Sequence, residues 1–332
     1  MIDFSYLAKV IRENRTFLIS THVNPDADAI GSEVAFYRIL RKLGKTAYII
    51  NHSALPYNLA FLDSENIIQK YDAEKHAALF ESVDVLAALD LNNPKRLVRV
   101  EDAFVNSSKV KICIDHHQNP ASFVNHYFVD AESSSTGQII YDLINETGIV
   151  QLDYELALPI YAAIMTDTGS FRFDRTTPAI HMIVARLLEV GVDPNYVYDQ
   201  IYDQSHFGKI KLLGESLSSI RLAADNQIAY MVITREALKR SGAQEAEVDG
   251  FVNYCLSIRG VKIGMLFFEL KDGIKVSFRS KGKIPVNLLA EEFGGGGHIN
   301  ASGIRLAGAT LNDHVAQIVE AAEKYLAVEQ KQ

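Results

Sequence analysis

At 332 residues the chain exceeds what one ordinary hydrophobic core holds, so two domains are expected. A composition of 48% hydrophobic and 22% charged residues with 8 prolines excludes extensive disorder. The formal net charge of -8 excludes a broad basic surface for long duplex nucleic acid, while leaving room for a local cationic pocket. No apolar run reaches bilayer-spanning length and residues 1 to 17 do not read as a targeting segment, so a cytoplasmic protein that does not engage a membrane is expected. Cys113 and Cys255 lie in apolar runs without a CxxC pair and read as buried core thiols.

In chain order, the first half alternates β-rich runs at 16–20, 47–50, 83–90 and 109–115 with segments of helical period at 30–43, 136–147, 154–165 and 179–190. The SSST run before residue 136 is a ready helix cap. This is an α/β pattern with a mostly parallel sheet flanked by helices. From 191 to 216 the chain changes character, with Asp193-Pro194, tyrosines and clustered charges, and a linker is placed there. Strands at 227–234, 261–270 and 274–279 and helices at 245–258, 286–293 and 311–327 predict a smaller α/β domain with a mixed sheet. The domains are therefore 1–190, a linker at 191–216, and 217–330.

Chemistry-bearing residues collect where apolar segments stop: His22, Asp26 and Asp28 after 16–20, Asp90 after 83–89, Asp115, His116 and His117 after 109–114, and Asp167 after 154–165. In open α/β sheets ligands bind beyond the carboxyl ends of the strands, so distant residues can meet there. That many carboxylates in one place repel one another and take up protons unless cations neutralise them. Mixed carboxylate and imidazole ligands without thiolate favour two divalent ions, Mn2+ first, with Mg2+, Co2+ or Fe2+ as alternatives. Taken singly, each acid reads as a turn former or cap, and Asp28 as the cap of a helix from Ala29. The Asp26-x-Asp28-x-x-Gly31 spacing is not a calcium loop, because Ile30 and Tyr37 stand where that loop needs oxygen ligands. His52, His76, His126, His181, His206 and His314 read as surface or core residues.

These segments carry a specific resemblance. THVNPDADAIGS (21–32), ALDLNN (88–93), CIDHHQNP (113–120) and AAIMTDTGSFRF (162–173) resemble, in order, the four motifs of the DHH phosphoesterase family. The resemblance implies that His22, Asp26 and Asp90 hold one metal and Asp28, Asp90, His116 and Asp167 the other, with Asp90 bridging. It also implies that His117 faces the phosphate and Asp115 supports the site. FRS (278–280) with GGGGHINASG (294–303) resembles the accompanying DHHA1 domain, in which Arg279 and His298 contact phosphate or nucleotide; the motif's usual Ala-Ala-Gly ending is here Ala301-Ser302-Gly303. The glycines Gly295, Gly296 and Gly297 read as backbone that can approach an anion, against the alternative of a flexible loop. Read as a strand, 274–283 places Lys275, Ser277 and Arg279 on one face and Val276 and Phe278 on the other.

The implied activity is metal-dependent hydrolysis of short oligoribonucleotides and of 3′-phosphoadenosine 5′-phosphate, as in stand-alone DHH-DHHA1 enzymes of the nanoRNase type. Cyclic di-AMP or linear dinucleotide hydrolysis is the runner-up, and a non-catalytic nucleotide sensor or RNA-binding module is the alternative of another class. The absence of a P-loop and of a G-x-S-x-G elbow lowers the case for NTP-driven or serine-esterase chemistry. The expected partner is short single-stranded RNA or a small nucleotide, and the architecture accommodates a homodimer.

Overall fold

The computed structural model describes residues 2–248 and 250–326, and it forms two compact units that divide between Gln204 and Ser205. In the first unit, β1 (Thr16–Ser20), β2 (Thr46–Asn51), β3 (Ile68–Lys70), β4 (Val85–Leu89), β5 (Val110–Asp115) and β6 (His126–Val129) make a six-stranded sheet in the order β3-β2-β1-β4-β5-β6. Every pairing in it is parallel. Its central strands are apolar on both sides, as a sheet covered on both faces requires. Phe17, Ile19, Val85, Ala87 and Leu89 pack beneath one set of helices, while Leu18, Leu86 and Ala88 pack on the other face with Phe80, Leu97 and Phe104.

The helices Ala27–Lys42 and Tyr154–Asp167 cross closely. Gly31 makes it possible, since a Cβ there would lie 2.4 Å from the Pro159 carbonyl oxygen. Pro159 sits inside its helix and has no N–H to give the carbonyl of Glu155 four residues earlier. Arg38 of the other helix donates to that carbonyl instead, so the crossing closes the hydrogen bond that the proline opens.

The second unit has a sheet in the order β11-β12-β10-β9-β8-β7, built from β7 (Arg221–Ala223), β8 (Ile228–Ile233), β9 (Ile263–Leu270), β10 (Gly273–Ser280), β11 (Gly296–His298) and β12 (Ala301–Ala307). It is mixed: β8 and β9 run parallel and the remaining pairs antiparallel. Ile274, Val276 and Phe278 of β10 enter the core with the helices Val286–Glu292 and Leu311–Leu326, which leaves Lys275, Ser277 and Arg279 on the opposite face.

Several elements differ from expectation. The stretch 191–216 is largely helical, with Pro194–Tyr202 and Phe207–Ser218 on either side of the division. The helix expected over 245–258 is interrupted: Glu245–Val248 is a 3-10 turn and only Asn253–Leu256 is α-helical. Gly250 at φ +87° ends the first piece, and residue 249 lies outside the described residues, as does residue 327 of the last expected helix. Part of the glycine run is the edge strand β11 rather than a loop. Among the described residues no helix is long and apolar enough to cross a membrane.

The Gly31 contact sets a stability test. Gly31→Ala should destabilise the protein by about 1–3 kcal/mol through overpacking. Urea unfolding should show a lower midpoint at unchanged slope; an unaltered midpoint would remove Gly31 from this role.

Candidate metal centre

The loops that leave the parallel sheet bring the acids and histidines together. Asp26 caps the helix Ala27–Lys42, its Oδ1 accepting the backbone N–H groups of Asp28 and Ala29 at 3.1 Å each. Asp28 is thereby freed from the capping role that sequence alone allowed it. Its carboxylate instead meets the N-terminus of the helix Thr136–Thr147, accepting the backbone N–H of Thr136 at 2.8 Å and of Gly137 at 2.8 Å. Ser32 donates to the same carboxylate at 3.1 Å. A helix N-terminus favours an anion, which offsets part of the cost of burying Asp28.

Asp90 follows β4 with φ +58°, a left-handed conformation that Asp tolerates better than most side chains. Its N–H donates to Ile114 of β5 at 3.0 Å. Its two carboxylate oxygens face different partners. Oδ2 lies 3.3 Å from His22 Nε2, whereas Oδ1 lies 3.5 Å from His116 Nε2 and 3.7 Å from His117 Nδ1. The hydroxyl of Thr136 donates to Oδ1 at 3.0 Å, so one residue orients both Asp28 and Asp90. The Thr136 contribution was hidden in sequence, where the SSST run signalled only a cap; that cap is Ser135, which accepts from Gln138 N–H at 3.0 Å.

The imidazoles are held from behind. Nδ1 of His22 donates to the Val23 carbonyl at 2.9 Å, which leaves Nε2 as the ligand nitrogen. Nδ1 of His117 sits 2.6 Å from Asp115 Oδ1, and Asp115 is wholly buried. Nε2 of His116 lies 3.1 Å from Asp167 Oδ2 and 3.6 Å from Asp28 Oδ2. Under the His22 loop, Asn51 accepts Thr21 N–H at 3.0 Å and donates to the buried Glu33 at 2.7 Å. Burial pushes the Glu33 carboxyl up to about 8, so it keeps its proton at neutral pH.

Among the described residues, three groups place ligand atoms within 4.8 Å of one another: His22, Asp26 and Asp90; Asp90, His116 and His117; and Asp28, His116 and Asp167. All eight first-unit residues singled out in sequence are thus at one place, seven as members of these groups and Asp115 through its bond to His117. Burial, reinforced by the neighbouring carboxylates, pushes Asp167 up to about 9 and raises Asp90 well above the usual carboxylate range. Burial likewise raises Asp28, against the pull of His116 and of its two backbone donors. Carboxylates that hold protons so tightly, among imidazoles and away from any thiolate, fit divalent cations, which would replace those protons. Cys113, buried and with its thiol raised far above the usual range by burial, is not among them.

Of the second-unit residues, Arg279, His298 and Gly296 lie on one sheet face, while Gly297 falls on the other and Gly295 precedes the strand. Arg279 of β10 and His298 of β11 are both in register with Ala301 of β12, so they flank it in a single cross-strand row. The neighbouring row is Ser277, Gly303 and Gly296, which leaves the surface beside them nearly bare of side chains. Gly294 and Gly295 donate their N–H groups to Glu291 and Ala290 and do not offer them to an anion. Gly295 and Gly297 are required by packing: Cβ atoms there would lie 2.3 Å from the Gly303 carbonyl oxygen and 2.6 Å from that of Ala301, and Gly297 has φ +146°.

The DHH family N-terminal domain matches residues 16–164, and the DHHA1 domain matches residues 225–328. A bifunctional oligoribonuclease and PAP phosphatase of Thermus thermophilus is 34% identical over 93% of this chain and 89% of its own. The chain belongs to the DHH/DHHA1 phosphoesterase family. A bifunctional oligoribonuclease and PAP phosphatase of Bacillus subtilis is 30% identical over 90% of this chain and 91% of its own. The crystal structure of an exopolyphosphatase-related protein from Bacteroides fragilis superposes with TM-score 0.94 at 33% identity, covering 99% of this chain and 97% of that one. As a DHH/DHHA1 protein, the chain is a metal-dependent phosphoesterase.

The raised carboxyls make a pH prediction. A group whose folded-state pKa exceeds its unfolded value stabilises the fold below the unfolded pKa, and that contribution is lost as pH rises through the folded value. With chelator present, the stability of the wild type relative to Asp167→Asn should therefore fall as pH is raised from about 4, the unfolded carboxylate value, towards about 9 for Asp167. Mn2+ should oppose the fall and release protons on binding, measurable by calorimetry in buffers of different ionisation enthalpy. A stability advantage over Asp167→Asn that grows over this window would contradict the cluster's electrostatics.

Proposed function

We propose that the protein hydrolyses short single-stranded oligoribonucleotides and 3′-phosphoadenosine 5′-phosphate with two divalent ions, Mn2+ first among them. The observation that carries this is the split environment of Asp90, whose Oδ2 faces His22 while Oδ1 faces His116 and His117. A carboxylate so placed is suited to bridging, with His22, Asp26 and Asp90 holding one ion and Asp28, Asp90, His116 and Asp167 the other. Two bound ions supply Lewis acidity at the scissile phosphate, a lowered pKa for the attacking water and charge neutralisation at the leaving oxygen.

The chain's own groups do the rest. Thr136 fixes the bridging carboxylate and Asp28 in one orientation. Asp115 holds His117 through Nδ1, so Nε2 remains free to meet a phosphate oxygen. Catalysis belongs to residues 1–190, and nucleotide binding to the DHHA1 face in residues 217–330, with 191–216 connecting them. There Arg279 and His298 hold a non-scissile phosphate or the base end, and Gly296 keeps the surface beside them low. The Thermus and Bacillus relatives, bifunctional oligoribonucleases and PAP phosphatases matched along most of their length, support this substrate class over others in the family.

Asp90→Asn keeps the shape of the buried side chain while removing its charge. With Mn2+ and RNAs of two to five residues, turnover should drop to background while circular dichroism stays unchanged. Parallel assays on 3′-phosphoadenosine 5′-phosphate, cyclic di-AMP and its linear product rank the substrates by kcat/KM. RNA binding by the wild-type protein without turnover under any divalent ion would replace the enzyme with a nucleotide-binding module.

A further inference from the structure

The carboxyl edge of the parallel sheet changes sign along its length. Beyond β1, β4 and β5 lies the acidic centre, but the two strands on one side of it end in other groups: the imidazole of His52 follows β2 and the cation Lys70 closes β3. The 3-10 segment Pro94–Val100, which follows β4, adds Lys95, Arg96 and Arg99. Hydrogen bonds tie these pieces to one another and to the metal-site loop. The carbonyl of Arg96 accepts Val23 N–H at 2.8 Å, next to His22, and Ser53 accepts Asn24 N–H at 2.9 Å. Both the backbone N–H and Nε of Arg99 point at His52 Nδ1, at 3.4 and 3.3 Å.

Two further observations bear on this cluster. Among the described residues, no carboxylate forms an ion pair with Lys70, Lys95, Arg96 or Arg99, in a chain whose net charge is -8. Between the two arginines, Val98 has φ +50° and ψ -109°, and its side chain is exposed. A β-branched residue in that conformation is strained, and such strain persists where surrounding structure holds the backbone for another purpose. His52, held below its ordinary range by burial and then by Arg99 and Lys70, is a neutral acceptor for Arg99 at pH 7.

We propose that Arg96, Arg99, His52 and Lys70 form an anion subsite on the first unit that holds a non-scissile phosphate of the substrate, beside the metal centre. This rests on the phosphoesterase reading above and adds a specificity element to it. Substrates with two or more phosphates engage the subsite, whereas simple single-phosphate esters do not reach it. Guanidinium groups suit this task because they present several donors to phosphate oxygens in a fixed plane.

The test compares Arg99→Ala, Arg99→Lys and wild type. Affinity for a fluorescein-labelled three-residue RNA, read by anisotropy, should fall about tenfold in Arg99→Ala, the loss of one charge-assisted contact. The slope of log affinity against log salt should shrink by about 0.7, the value for one phosphate contact on a single strand. Arg99→Lys should recover the slope. In steady state with Mn2+ the change should fall on KM rather than kcat, and should be several times larger for the RNA than for bis(p-nitrophenyl) phosphate. Lys70→Ala, on a different element, gives an independent reading if Arg99→Ala does not fold. Equal effects on RNA and the single-phosphate ester, or an unaltered salt slope, would overturn the subsite. Arg99-dependent binding without wild-type turnover would keep the subsite and reject the hydrolytic reading; Asp90-dependent turnover with a silent Arg99 would do the reverse.

Discussion

Thr136 donates its backbone N–H to Asp28 and its hydroxyl to Asp90, and the first unit is arranged around that double contact. Two carboxylates at 0% and 2% exposure stand against each other in a medium where like charges repel strongly. The helix N-terminus beneath Asp28, the left-handed turn that aims Asp90 and the close seating of Gly137 against Ala163 all serve to hold these acids where water cannot separate them. Their repulsion is left for cations to relieve. The protein thus folds around a charge imbalance, and that imbalance is the source of its affinity for divalent ions.

The first unit was legible in sequence because each signal there is local. Apolar runs mark themselves by where they stop, and His22, Asp26, Asp28, Asp90, Asp115, His116 and His117 follow or close strands while Asp167 closes a helix, and all meet. What remained hidden depends on which backbone groups face which side chains. That Asp26 rather than Asp28 caps its helix, and that Thr136 serves two carboxylates, follows only from the way the helices cross. His52 reads in sequence as an ordinary surface or core histidine. Its contact is with Arg99, which follows β4, and β2 and β4 come to flank β1 in a strand order that sequence order does not give.

The second unit was harder to read for a reason of composition. GGH and ASGIRLA have little intrinsic strand preference, and they pair because β10 already presents an open edge. The alternation of β10 was plain, since Val276 and Phe278 had to face a core. The break near Gly250 was not, because a single glycine inside a helical period reads as tolerated until its positive φ is seen.

Gly296 alone in its run has neither a positive φ nor a neighbour that a methyl group would strike. The glycines around it belong to the fold; this one does not. Folding would accept alanine, serine or a larger residue at 296, whose side chain would rise into the bare strip beside the Arg279 and His298 row. Successive enlargements there form a graded series of obstacles above an otherwise unchanged sheet, from which the clearance over that surface could be measured step by step.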